Sequence, residues 1–180
     1  MSNPAAHILL PVLLWCLCFA PATGKEYWTY KTAYDAYDTG EFLLAADIYK
    51  RLAEKGGARA QNDLGFMYSI GQGVQQNFKT AAMWYEKSAQ QGHTKALINL
   101  AGLYMAGRSV PHSIVEAHKF YNLASLLARK NNRRHIAHSR RDEITTRLTA
   151  AQLSTARERA CQWWQTYRIL NGKSSKTLPQ

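Results

Sequence analysis

The densest run of chemically capable side chains lies between Arg129 and Arg141. Arg129, Lys130, Arg133, Arg134, Arg140 and Arg141 fall there with no acid among them, accompanied by His135 and His138. Guanidinium forks match the paired oxygens of phosphates and carboxylates. Each cation close to an anionic lipid surface contributes about 1 kcal/mol. The segment is therefore expected to meet an anion: a phosphorylated lipid, an envelope polymer or an acidic protein. A solvated loop and helix face is the alternative. His135 and His138 stand three residues apart, but no third ligand lies near them in sequence, so a surface reading is preferred to a metal site. Asp142 and Glu143 read as N-terminal charges of a helix over about 142–148, where acids suit the macrodipole, with an earlier helix start as the alternative. No Ser, His and Asp are brought together by any periodicity of the chain. No catalytic residue, metal or cofactor is expected.

The charge that makes this run conspicuous is unevenly distributed. The 180-residue chain carries a net charge of +11. Residues 25–118 hold ten Lys or Arg and nine Asp or Glu, whereas residues 119–180 hold thirteen and three. A nearly neutral body with a strongly basic end points to an anionic partner for that end. The N-terminus is different material. Ile8 to Ala20 is an apolar run too short to span a bilayer, followed by small residues through Gly24. It reads as a secretory signal ending after Ala22 or Gly24, with an uncleaved anchor or a buried helix as the alternatives. Export to the periplasm or outside the cell follows as an expectation, and it removes nucleic acid from the expected partners. Cleavage would leave Cys161 as the single cysteine, which excludes an internal disulfide scaffold. Cys161, beside Trp163 and Trp164, is expected to be a buried, inert thiol. The ten tyrosines are taken to serve packing.

The elements that must position these groups come from a phrase repeated at an offset of 36 residues. Ala60, Leu64, Tyr68, Gly71 and Val74 recur as Ala96, Leu100, Tyr104, Gly107 and Val110. Phe78, Ala81, Tyr85, Ala89 and Gly92 recur backward as Phe42, Ala45, Tyr49, Ala53 and Gly56. A period of this length marks units that stack into one core. Within the unit, Ala60, Leu64, Met67 and Tyr68 share one helical face. Gly65 on that side costs about 1 kcal/mol against alanine, which predicts a neighbouring helix pressed close to it. Gly71-Gln72-Gly73 turns the chain, and Asn77 is placed to cap the second helix. Ser113 and Glu116 form the pattern of a capping box in the next unit. Thr149 is expected to cap a helix over about 150–170, which Asn171-Gly172 ends. Tyr27 to Lys55 reads as a degenerate first unit.

The stretch Ala60 to Val74 with Ala81 to Gly92 closely resembles the Sel-one-like repeat, a relative of the tetratricopeptide repeat, and residues 148–163 are similar to the helix that ends such arrays. The resemblance implies an all-α fold, a right-handed αα solenoid of TPR-like helix pairs with a C-terminal capping helix. It also implies a non-enzymatic scaffold for protein or peptide partners, bound on the concave side lined by the first helix of each unit. The residues carried onto that side are Arg59, Asn62, Asp63 and Phe66, then Lys95, Ile98, Asn99 and Met105. Asn62 and Asn99 would grip a peptide backbone, and Arg59 or Lys95 a carboxylate. Plain helix surface is the alternative for all eight. Ser109 departs from the pattern at the second turn glycine. Members with a disulfide in each helix pair are linked to β-lactam binding; the cysteine pairs are missing here, and a cell-wall or β-lactam-acting enzyme is kept only as a lesser alternative. The expected organisation is 1–24 signal peptide, 25–57 degenerate repeat or cap, 58–127 two repeats, 128–172 basic linker and capping helices, and 173–180 disordered tail.

Overall fold

The computed structural model describes residues 28–108, 110–129 and 131–172, and these form eight helices with no strand among them. The expected signal segment, Lys130, Ser109 and the expected tail lie outside the described residues. The helices are α1 (Tyr30–Asp38), α2 (Phe42–Glu54), α3 (Ala58–Ile70), α4 (Phe78–Gln90), α5 (Thr94–Ala106), α6 (Ile114–Leu127), α7 (Asn131–Thr145) and α8 (Ala150–Leu170). The chain is an αα solenoid: each helix packs chiefly on its chain neighbour, from α1 through α7, and α8 lies back on α6.

The repeat phrase builds this stack through size. Gly65 faces the ring of Tyr85, where an added Cβ would sit 2.9 Å from ring carbons and 3.2 Å from the Ala81 carbonyl oxygen. Glycine thus lets α3 and α4 approach as the sequence predicts. Around this contact Ala81, Ala82, Ala89, Leu97, Leu100 and Ala101 form a buried cluster with Ala117, Leu123 and Ala124 of α6. A second cluster joins Ala33, Ala45, Ile48, Ala60, Leu64 and Met67 to Trp84. Burying such side chains contributes roughly 1.5–3 kcal/mol for each large aliphatic or aromatic group. The turn at 71–77 closes against the first pair. At Gly73, φ is +68° and a Cβ would fall 2.0 Å from the Phe42 carbonyl oxygen, so only glycine fits. Val74 packs into the second cluster beside it.

The caps follow the sequence in most places. Asn77 accepts from the Thr80 amide at 3.0 Å and Ser113 from the Glu116 amide at 3.2 Å. Thr149 and Gln152 form a complete capping box at the start of α8. The expected reciprocal box of Ser113 is not made. Glu116 instead accepts from Lys119 and, at 2.5 Å, from Arg159, which pins α8 to α6. Burial would raise the Glu116 carboxyl, but hydrogen bonds from these two cations outweigh it and hold it below the ordinary range.

The last pair corrects three expectations. The basic stretch expected as a linker is helical from Asn131 to Thr145. Asp142 and Glu143 therefore lie in its final turns, not its first, and pair with Arg141 at 2.7 Å and Arg140 at 3.1 Å. Among its described side chains the helix hides only Ala137 and Ile144. Arg134 donates to the Ala128 carbonyl at 2.9 Å, and so closes the glycine-free end of α6 with a cation. Cys161 is exposed, because α8 buries the face carrying Ala156, Ala160 and Tyr167 and turns Cys161 away from it.

A candidate partner-binding cavity

Helices α1, α3 and α7 and the start of α5 meet around one cavity of about 160 Å³. From α1 come Tyr30, Tyr34 and Tyr37; from α2, Tyr49; from α3, Arg59, Asp63, Phe66 and Met67. His93, which precedes α5, and Lys95 within it supply the next wall, and Arg133 of α7 completes it. The aromatic wall is ordered by ring contacts. Tyr30 and Tyr49 lie with centroids 5.6 Å apart, and the Arg59 guanidinium sits 3.9 Å over the Tyr30 ring.

Asp63 is the polar centre. It accepts the Tyr30 hydroxyl, takes the Asn62 amide at 2.8 Å, and lies 3.8 Å from the Lys95 ammonium. Asn62 in turn accepts from Asn99 at 3.1 Å. The result is a polar chain running from α1 through α3 to α5. Burial, and after it the bond to Asp63, pushes the Tyr30 hydroxyl well above the ordinary tyrosine range. Burial also pushes Tyr49 up to about 12. Both therefore stay protonated near neutral pH.

The cations are less satisfied. Among the described residues neither Arg59 nor Arg133 has a carboxylate within ion-pair distance, and Lys95 is the single cation at Asp63. The lining thus holds three cations against one acid. His93 registers their field. Burial pushes its ring down to about 4; Asp63 opposes that shift, while Arg133, Lys95 and Arg59 add to it. Its Nδ1 is buried without a partner.

Of the residues expected on the binding side, Arg59, Asp63, Phe66 and Lys95 line this cavity. Phe66 also borders a neighbouring depression with Ile98 and Asn99. Met105 is half-buried against the main cluster and lines neither. Asn62 is a correction: it is fully buried, and its amide serves Asp63 rather than a peptide. The basic segment divides. Arg133 enters the cavity, Arg134 caps α6, Arg140 and Arg141 pair with acids, and Arg129 is exposed. His135 is exposed and His138 half-buried. Among the described residues no group of three His, Cys, Asp or Glu could hold a metal, and no helix is long and apolar enough to cross a membrane.

The sequence missed the tyrosines and His93. The only hint was the tyrosine count, ten in the chain, of which four stand in this wall.

Comparison with known proteins bears on the array. Residues 58–93 and 94–128 match the family described as Sel1 repeat. Among solved structures, a protective antigen of uropathogenic Escherichia coli strains displaying an SLR fold is 23% identical, with a TM-score of 0.69 over 83% of this chain and 33% of that one. A Sel1 repeat protein from Oxalobacter formigenes is 25% identical, with a TM-score of 0.58 over 77% of this chain and 53% of that one. The chain thus spans about a third and about half of these two proteins. No curated protein sequence matches it.

Proposed function

We propose, from the premise that residues 58–93 and 94–128 are two Sel1 repeats, that this chain is an exported, non-enzymatic scaffold binding a protein or peptide in the cell envelope or outside the cell. Sel1 repeats generally mediate protein–protein interaction. The observation that supports the finer reading is the cavity to which α1, α3, α5 and α7 each contribute a side chain. Aromatic anchors with arginine beside them are the composition of binding hot spots. The polar centre at Asp63 is tied to Tyr30 and Asn62, so it holds the walls rather than standing free for acid–base work.

The test is affinity capture with the purified chain against the double variant Arg59→Glu/Lys95→Glu. A partner held by the parent chain and lost by the variant is expected, as is weaker capture at 1 M salt, where the Debye length falls to about 3 Å. An unchanged partner set in the variant would overturn the assignment to this cavity. Export rests on the run Ile8 to Ala20, and fractionation checks it: recovery of the chain in the cytoplasm would end that part of the proposal.

A second reading, binding of anionic lipid or envelope polymer through residues 129–141, is supported by the exposure of Arg129, Arg134 and Arg140. The pairing of Arg140 with Glu143 and the turn of Arg133 into the cavity weaken it. Liposome co-sedimentation unaltered by Arg133→Glu/Arg134→Glu would dispose of it.

A further inference from the structure

The cavity's size and lining restrict what a partner can place there. A volume of about 160 Å³ is well short of the several hundred Å³ that hold a drug-sized ligand. It accepts one residue, not a folded surface. The walls at Tyr30, Tyr34 and Phe66 ask for an apolar body. The guanidiniums of Arg59 and Arg133 reach the same space from α3 and α7 without a carboxylate of their own, and Lys95 stands beside them. A group that is apolar and anionic within the span of one residue satisfies both halves.

We infer that this cavity captures a single carboxylate-bearing apolar residue of a partner, its carboxylate held by Arg59, Arg133 and Lys95 and its side chain seated against the tyrosine wall. The C-terminal residue of a peptide brings the two together with fewest atoms, and an acidic side chain supplies the same chemistry less the apolar body. Charge-assisted hydrogen bonds to such a carboxylate contribute about 1.5–3 kcal/mol each, so loss of one is worth about tenfold or more in affinity. The inference rests on the scaffold reading and narrows it.

Four small probes test it by NMR titration of the full chain: N-acetyl-phenylalanine, N-acetyl-phenylalaninamide, N-acetyl-glutamic acid α-amide and phenyl phosphate. N-acetyl-phenylalanine should bind at least tenfold more tightly than its amide. Arg133→Gln should weaken it about tenfold, with an unchanged melting temperature. The bound carboxylate should also raise the His93 pKa, since an anion favours the charged ring; a residue binding elsewhere would leave that titration alone. Tighter binding of the glutamic amide than of N-acetyl-phenylalanine would overturn the seating of an apolar body against the tyrosine wall. Equal binding of acid and amide, preference for phenyl phosphate over both carboxylates, or no response to any probe would each overturn the inference. Failure here with capture still lost in Arg59→Glu/Lys95→Glu would leave the scaffold reading standing. Failure of both would remove the cavity from the account.

Discussion

His118 is the clearest case in which a single side chain sets a measurable property of the fold. It is 3% exposed, its Nε2 lies 3.1 Å from the Thr145 hydroxyl, and its Nδ1 has no partner. Burial, helped by Arg141 and Arg157, pushes its pKa down to about 4, whereas the unfolded chain protonates it near 6.5. Between those values the unfolded state binds more protons, so stability is intact above about pH 6.5 and falls as the pH drops toward 4. His93 acts in the same direction. Unfolding free energies from urea melts at pH 7 and pH 4.5 should differ by on the order of 2 kcal/mol per histidine. His118→Gln should flatten that slope by about half; an unaltered slope would assign it elsewhere. At Tyr30 the expectation is polar. Tyr30→Phe removes the hydroxyl from Asp63 and should cost about 1 kcal/mol in thermal or chemical unfolding, because a half-buried carboxylate loses a donor.

At the scale of elements, Gly65 and Thr149 carry the sharpest predictions. Gly65→Ala gains helix propensity of about 1 kcal/mol but drives a Cβ into the Tyr85 ring. Overpacking of about 1–3 kcal/mol should win, lowering the melting temperature; a rise would mean that α4 moves aside freely. Thr149→Ala should cost about 0.5–2 kcal/mol by opening the capping box of α8. Both elements were readable from sequence, since glycine and cap residues declare their backbone roles locally. Helix α7 was not. Among its described side chains only Ala137 and Ile144 are buried, two turns apart, and apart from the exposed Ile136 the rest is charged or polar, so no apolar period marks it. Its helix forms because α6 offers a surface and Arg134 ties the junction, which are tertiary facts. The cavity was legible in part for the same reason. Arg59, Asp63, Phe66 and Lys95 sit on repeat helices whose orientation the period fixes. Tyr30, Tyr34, Tyr37 and Arg133 come from the irregular ends, where no period applies. Asn62 is illegible in the pattern because a polar side chain on an amphipathic helix reads as facing water, whereas its partners are Asp63 and the neighbouring Asn99.

Over the whole molecule, the two regular units are framed by ends that are not regular. Helix α8 reaches back past its own pair: Tyr167 lies against Gly92, where a Cβ would sit 2.6 Å from its hydroxyl, and stacks on Trp163 at 5.2 Å. Arg159 meets Glu116 on the way. These contacts dock α8 on the second repeat. The position of Tyr30 and Arg133 in one cavity has a further consequence. They belong to α1 and α7, on either side of the two repeats, so the opening depends on this number of units. Inserting a copy of residues 58–93 after His93 would keep the Gly92 contact and add one new junction, α4 against the copied α3 in place of α5, and should yield a folded, longer rod. It should also carry the tyrosine wall of α1 away from Arg133, and circular dichroism with carboxylate titration would separate the two outcomes. Repeat number, ordinarily a matter of length, here acts as a specificity determinant: a duplication that leaves the fold untouched would erase the site.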